Sequence, residues 1–437
     1  LLVAGANDRI RVAVCGIRGQ GFQHVEEYSR LDNVEIAAVC DVDENIVRAR
    51  LADMERLGIP KPKVYSDPRQ VMDDKSIDAV SIATPNHWHA LVTIWACQAG
   101  KDVYVEKPCS HFWWEGRQMV RAAEKYNRIV QHGANSRSNP AVQEGIRKLR
   151  EGLIGDVYLA RGLCFNRRDT IGRAPAEPAP SGVNYDLWTG PAPKHEFTRN
   201  RFHYTWHWFW DYGNGDLGNQ GSHQIDVARW GLGVGFPIKA TAMGGHFMFD
   251  DDQQTPNNLS CAFEFDGVGK RKMLEFEVRN WITNHEAGIG TPGFGGDPIP
   301  GFIGPPGHEE KLNMAGNTVG DIFYGSKGFM AVTNEEDFQS YRTWLGREQT
   351  PGPSAARRGN NWANFIDCVR SRKKEDLNAP IQEAHISCTL IHLANASYRL
   401  GRTLNFDPAT EQVTGDDEAN RFLRGAYREP FVVPENV

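Results

Sequence analysis

The sequence predicts an α/β chain in two parts, a doubly wound parallel sheet followed by a domain on a mostly antiparallel sheet. Three observations predict it. From Arg9 to Gly133, short apolar runs rich in β-branched residues alternate with helix-like stretches, the pattern of a parallel sheet covered on both faces. A glycine-rich turn, Gly16-Ile17-Arg18-Gly19-Gln20-Gly21, follows the first run and opens the first helix. After Asn135 the runs lengthen and lose their regular intervening helices, which suits antiparallel pairing. With 437 residues the chain exceeds one ordinary core, and the change of pattern divides it into 9–134 and 135–437.

In the first part the expected strands are Ile10–Cys15, Val34–Cys40, Asp78–Ala83, Val103–Val105 and Ile129–Gln131. Helices are expected near Gly21–Arg30, Glu44–Leu57, Ala90–Ala99 and Trp114–Tyr126. Right-handed crossovers bring the strand carboxyl ends to one edge, where open α/β sheets bind ligands. In the second part a helix at Ala141–Arg150 precedes strands Asp156–Phe165, Lys239–Phe249, Leu259–Phe265, Lys272–Arg279 and Phe329–Val332. Helices near Trp362–Ser371 and Gln382–Leu400 end the pattern. The glycine- and proline-rich stretch 288–307 is neither helix nor central strand; it reads as a long functional loop or a disordered insert, its length favouring the loop, one expected to reach a neighbouring subunit.

Composition excludes several classes of partner. The chain is 40% hydrophobic and 24% charged, with net charge −6, an isoelectric point near 6.2 and no basic stripe to neutralise phosphates, so nucleic acid is not expected. No run of eighteen apolar residues spans a membrane. Eight cysteines occur singly, without a C-x-x-C pair, and read as buried hydrophobes; no metal site is expected. The opening Leu1–Ala6 carries Ala4-x-Ala6, the form of a leader cleavage site, so an exported protein and a cytoplasmic one with an arbitrary start are both open, export being favoured.

The chemistry gathers at the strand ends. In the glycine turn, Gly16 permits the tight bend and Gly21 close helix packing; Arg18 stands where the dinucleotide fingerprint has glycine, so Gly19 is expected to take over the close backbone approach. Asp41, at the end of the second strand and twenty residues beyond Gly21, suits a ribose diol and repels a 2′-phosphate, favouring NAD over NADP. Its other reading is a helix cap. In Thr84-Pro85-Asn86-His87-Trp88-His89, Asn86 caps the next helix or reaches a ribose, and His87 and His89 suit packing better than metal. Glu106-Lys107-Pro108 closes the Val103–Val105 strand; the proline holds Lys107 out of helical geometry, so its ammonium projects into the crevice. The expected cofactor contacts are therefore Gly16, Arg18, Gly19, Gln20, Gly21, Asp41, Thr84, Asn86, His89, Glu106 and Lys107.

A second cluster, Asn219-x-Gly221-x-His223-x-x-Asp226, places Asn219 and His223 one helical turn apart. A histidine beside a lysine suits movement of the proton that accompanies a hydride, although a core histidine is the plainer reading. Asp226 orients the helix or cofactor, or pairs with Arg229. Aromatics crowd Phe202–Tyr212, with Trp206, Trp208 and Trp210 at period two; they read either as a sugar-stacking surface with Tyr204 or as one buried strand face. Arg167 and Arg168 suit substrate hydroxyls or a carboxylate, or form a surface turn.

Together Glu106-Lys107-Pro108, Ala83-Thr84-Pro85-Asn86-His87 and Gly221-x-His223-x-x-Asp226 resemble the glucose–fructose oxidoreductase / inositol dehydrogenase (Gfo/Idh/MocA) family. The resemblance implies a Rossmann domain, a second α/β domain with a large open mixed sheet, NAD at their junction, and a homo-dimer or homo-tetramer. It maps catalytic roles onto Lys107 and His223. It places Asn219 where the family usually has aspartate; an amide takes no proton and serves only as a hydrogen-bond group. The implied activity is NAD-linked oxidation of a secondary alcohol of a sugar, polyol or sugar derivative. Two alternatives remain open at this point: a glycosidase working by transient oxidation with retained NAD, and a non-catalytic NAD- and sugar-binding sensor.

Overall fold

The computed structural model describes residues 9–267, 269–281, 283–291, 294, 317–333, 341–350, 352 and 359–437. Its first sheet contains β1 (Ile10–Cys15), β2 (Val34–Cys40), β3 (Lys63–Tyr65), β4 (Ala79–Ile82), β5 (Asp102–Val105) and β6 (Val130–His132), all parallel, in the order β3-β2-β1-β4-β5-β6. Helices α1 (Gln20–Ser29), α2 (Glu44–Arg56), α3 (Pro68–Asp73), α4 (Asn86–Gln98) and α5 (Trp113–Lys125) connect the strands. The order reverses between β1 and β4, which opens a crevice beyond their carboxyl ends. Val12, Ala13 and Val14 are fully buried, as a strand covered on both faces requires. Strand β3 and helix α3 were not foreseen: β3 is a three-residue edge strand with exposed Lys63 and Val64 and no apolar run. Asp67 and Gln70 form the capping box that starts α3.

The second part begins with α6 (Pro140–Arg150), β7 (Val157–Phe165), α7 (Tyr185–Thr189), α8 (Gly215–Asn219) and α9 (Gly221–Leu232). Strands β8 (Lys239–Gly245), β9 (Asn258–Phe265), β10 (Lys272–Arg279), β11 (Thr318–Gly325), β12 (Gly328–Thr333), β13 (Tyr341–Leu345) and β14 (Glu348–Thr350) follow. Then come α10 (Asn361–Ser371), α11 (Ile381–Leu400), β15 (Leu404–Asp407), β16 (Gln412–Val413) and α12 (Asp417–Arg424). The ten strands form one sheet in the order β14-β13-β12-β11-β7-β10-β9-β8-β15-β16. It is mixed, because β7 and β10 run parallel at its centre while the other pairings are antiparallel.

Helix α9 lies tightly on this sheet because glycine faces it. A Cβ on Gly221 would fall 2.8 Å from the Phe276 ring, and one on Gly231 2.3 Å from Phe323. The opposite sheet face carries exposed Met243. Helix α10, though late in the chain, packs on the first sheet: Trp362, Phe365 and Ile366 share a core with Val12, Val14 and Tyr104. Of the 288–307 segment, Ile289 and Phe294 are buried against Leu163 and Phe165 of their own sheet; 292–293 and 295–307 lie outside the described residues. No described helix is long and apolar enough to cross a membrane.

Candidate active site

A cavity of 520 Å³ opens beyond the carboxyl ends of β1, β2, β4 and β5. Gly16, with φ 79°, makes the bend; a Cβ there would meet the Ala83 carbonyl oxygen at 2.7 Å. A Cβ on Gly21 would lie 1.7 Å from the Gly16 carbonyl oxygen, so Gly21 packs the helix and does not line the cavity. At Gly19 nothing lies within 4 Å of that position, leaving the backbone open to an approaching phosphate. Arg18 and Gln20 line the same wall.

Asp41 accepts from the Ile17 amide (2.9 Å) and from the Asp43 amide (3.1 Å), one bond per carboxylate oxygen. Each oxygen keeps acceptor capacity toward the cavity, and burial raises the carboxyl pKa. Asp43 caps α2, accepting from the Asn45 amide at 2.9 Å, so the cap considered for Asp41 belongs two residues later. Thr84 Oγ1 and Asn86 Oδ1 border the cavity buried and without a partner among the described residues; Asn86 is already inside α4 and does not cap it. Such atoms call for a polar ligand.

Of the two histidines after β4, His89 lines the cavity and His87 does not, and each is held by backbone carbonyls. His89 bridges the carbonyls of Pro108 and Thr84 (2.7 Å each), tying together the loops after β5 and β4. His87 lies 2.9 Å from the Trp188 carbonyl, and burial brings its pKa down to about 4. Among the described residues no group of three His, Cys, Asp or Glu is arranged to hold a metal.

Lys107 is where the two parts of the chain meet. Its ammonium donates to the Asn219 carbonyl (2.8 Å) and to Asn219 Oδ1 (3.1 Å) at the end of α8. Burial lowers its pKa, opposed by the Glu106 carboxylate and assisted by Arg168. Glu106 borders the cavity and accepts from His24 (3.0 Å), from Gln20 (3.3 Å) and from the Lys107 amide (3.1 Å). His223, in the first turn of α9, is pushed down to about 3 by burial and then by the Lys107 charge, so it stands neutral near that lysine, although it does not line the cavity.

Asn219 also reaches Asp216, donating from Nδ2 at 3.4 Å. Asp216 in turn holds Arg168 in a two-pronged pair of 2.6 and 2.7 Å. The amide thus does what a carboxylate could not: it accepts from Lys107 while donating to a buried aspartate. Asp216 was missed in the sequence because a lone acid between glycines looks like a turn residue. Arg168 lines the cavity; Arg167 does not, its guanidinium lying 4.7 Å over Trp281.

The facing wall comes from Phe202, His203, Tyr204, Trp206 and His207. Trp206 stacks on His207 at 3.6 Å. Of the two readings of the three tryptophans, the buried strand face is not formed: a 3₁₀ turn at Thr205–Trp208 follows His203, whose φ is 59°. Trp206 therefore faces the cavity, Trp208 is buried under the Arg168 guanidinium, and Trp210 packs against Tyr398 and Arg399. The preceding segment is fastened over the first domain, through Asn184 N to the Val42 carbonyl (2.9 Å) and the Trp88 indole to the Leu187 carbonyl (3.0 Å). Its glycine- and proline-rich sequence carried no period to announce this. Asp226 pairs not with Arg229 but with Arg137 (2.7 and 2.9 Å), from the 3₁₀ turn that opens the second part of the chain.

Residues 10–134 match the NAD-binding Rossmann-fold model of the Gfo/Idh/MocA oxidoreductase family, and residues 167–254 and 337–433 match its C-terminal alpha/beta domain. The chain belongs to this family. A glycosyl hydrolase family 109 protein of Shewanella putrefaciens is 29% identical over 160 residues, 36% of this chain and 35% of that protein. The match thus spans about a third of that relative's length. The aldose-aldose oxidoreductase of Caulobacter crescentus, solved with glycerol, has a TM-score of 0.64 at 16% identity, over 91% of this chain and 100% of that one. The WlbA dehydrogenase of Bordetella pertussis, solved with NADH and UDP-GlcNAcA, has a TM-score of 0.62 at 18% identity, over 91% and 99%. These likenesses show a shared fold.

The first domain is a NAD-binding domain. The residues present fit that cofactor: open backbone at Gly19 for a phosphate, free acceptor capacity on Asp41 for a ribose diol, and orphaned Thr84 Oγ1 and Asn86 Oδ1 on the same wall.

Proposed function

We propose that this protein oxidises a secondary alcohol of a sugar, polyol or sugar derivative, reversibly and with NAD in preference to NADP. The observation that carries the reading is the Lys107 ammonium, held by Asn219 between the dinucleotide wall and the aromatic wall of one cavity. When bound, NAD supplies the hydride acceptor. Burial favours the neutral amine of Lys107, which hydrogen-bonds the reacting hydroxyl and takes its proton; the ammonium so formed stabilises the charge developing on that oxygen. His223, neutral and beside it, orients the hydroxyl by a hydrogen bond. Trp206 and Tyr204 offer ring faces to the sugar's C–H groups. Asp41 recognises the ribose diol and excludes a 2′-phosphate.

A second reading, redox-neutral cleavage of a glycoside with retained NAD, is favoured by the likeness to the family 109 glycosyl hydrolase. One panel separates the two. Oxidation of free sugars that requires added NAD and accumulates NADH supports the first, and release of nitrophenol from nitrophenyl glycosides without added NAD supports the second. NAD binding with neither activity returns the protein to a sensor.

A further inference from the structure

Glu106 and Glu115 are both buried carboxyls, and they behave oppositely. Glu115 accepts backbone N–H bonds from His111 (2.7 Å) and Phe112 (3.0 Å), yet burial pushes it up to about 8. Burial acts on Glu106 in the same sense, but a hydrogen bond from His24, with the charge of Lys107 behind it, brings it down to about 2. The difference is an imidazole. His24, on α1, is 0% exposed and does not line the cavity. Its Nε2 lies 3.0 Å from Glu106 Oε1 and its Nδ1 2.9 Å from Ser81 Oγ. Edge contacts with Tyr104 (5.2 Å) and Trp362 (5.5 Å) lock the ring. An ionised carboxylate only accepts, so Nε2 is the donor.

We propose that His24 is a positioning residue for Lys107: its bond to Glu106 keeps a carboxylate ionised beside the lysine and so governs when that lysine can take a proton. The proposal rests on the reading of Lys107 as proton acceptor. The other groups facing the lysine are Arg168 and Cys164 at the end of β7, Asp216 on α8 and His223 on α9. Those facing Glu106 are Tyr28 on α1, Tyr104 on β5, His132 on β6 and His89 on α4. None of them donates a hydrogen bond to the Glu106 carboxylate among the described residues; His24, Gln20 and the Lys107 amide do.

The test uses the imidazole's two ends separately. Asparagine at position 24 can keep the Nδ1 contact with Ser81 but cannot reach Glu106, whereas glutamine can keep the reach to Glu106. Lys107 is titrated in the full chain by trace acetylation across pH, read by peptide mass spectrometry, with and without NAD. His24→Asn is expected to lower the pH at which Lys107 becomes reactive by about one unit or more, because a neutral Glu106 no longer supports the ammonium. His24→Gln should restore most of the wild-type value, and the acid limb of the rate profile should move with Lys107. An unchanged Lys107 titration in folded His24→Asn overturns the proposal. Should that variant fail to fold, Glu106→Gln must give the same downward shift, and its absence overturns the proposal equally. If Lys107 shifts as expected but no sugar is oxidised by any form, the positioning role stands and the proposed activity falls.

Discussion

Asn219 joins Lys107 to Asp216 by accepting from one and donating to the other. Aspartate at that position would set two carboxylates against each other in a buried site and would strengthen the lysine's hold on its proton. Asn219→Asp is therefore expected to lower kcat/KM by about tenfold or more and to move the acid limb of the pH profile upward by about one unit. A rate and profile equal to wild type would remove Asn219 from the proton economy. Lys107→Ala should leave NAD affinity nearly intact in a binding titration and reduce turnover by about two to four orders of magnitude. Asp41→Ala should weaken NAD binding and narrow the preference over NADP; tighter NADP than NAD binding by the wild type would contradict the role given to its carboxylate. At this scale the sequence was informative where a motif fixes a position, as for Gly16, Asp41 and Lys107. It was silent where a role depends on a distant partner: nothing near Asp216 announces Arg168, and nothing near His24 announces Glu106.

Among the elements, α9 is the one whose seating decides the site, since it carries His223 and follows directly on Asn219. Its anchor is Asp226, which accepts from Arg137 and from Ser387 (2.6 Å) on α11. Burial works against the Asp226 charge, but Arg137 outweighs it and brings the carboxyl down to about 2. A depressed carboxyl stabilises the fold fully above its unfolded pKa of about 4, and that contribution disappears as pH falls through the folded value. Asp226→Ala, which strands Arg137, should therefore cost about 3–5 kcal/mol at neutral pH by denaturant unfolding, with the gap to wild type narrowing by about 2–3 kcal/mol between about pH 4 and 2. A gap that does not change with pH would deny the ion pair this role. Strands with clean apolar alternation, such as β9 and β10, were legible within a residue or so. Strand β11 was not, although it lies beside β7 near the sheet centre: Gly320 and buried Asp321 interrupt its pattern, and Gly320 is required because a Cβ there would meet the Val332 carbonyl oxygen at 2.4 Å.

For the whole molecule, the architecture was readable from the order of elements, but the way the two parts interlock was not. Helix α10 completes the core of a sheet more than two hundred residues earlier in the chain, and its apolar face looks in sequence like any other amphipathic helix. The ten-stranded sheet buries one face under α9 and α11; the other exposes Met243 (81%), with Phe247 (70%) just beyond β8, beside the ion pairs of Arg161 with Glu275 and Glu277. A sheet face that mixes exposed apolar groups with ion pairs in this way is suited to a second copy, so light scattering at micromolar concentration should give at least a dimer with closed symmetry, and a monomer alone would contradict it. The central claim is that a sugar carbinol exchanges its hydrogen with the nicotinamide under the control of Lys107. The most direct test gives the protein a sugar deuterated at that carbon and follows the label by mass spectrometry. The account predicts deuterium on the nicotinamide with wild type and almost none with Lys107→Ala, although both bind NAD. Label that stays on every sugar the wild-type protein binds, with the nicotinamide unchanged, would contradict it.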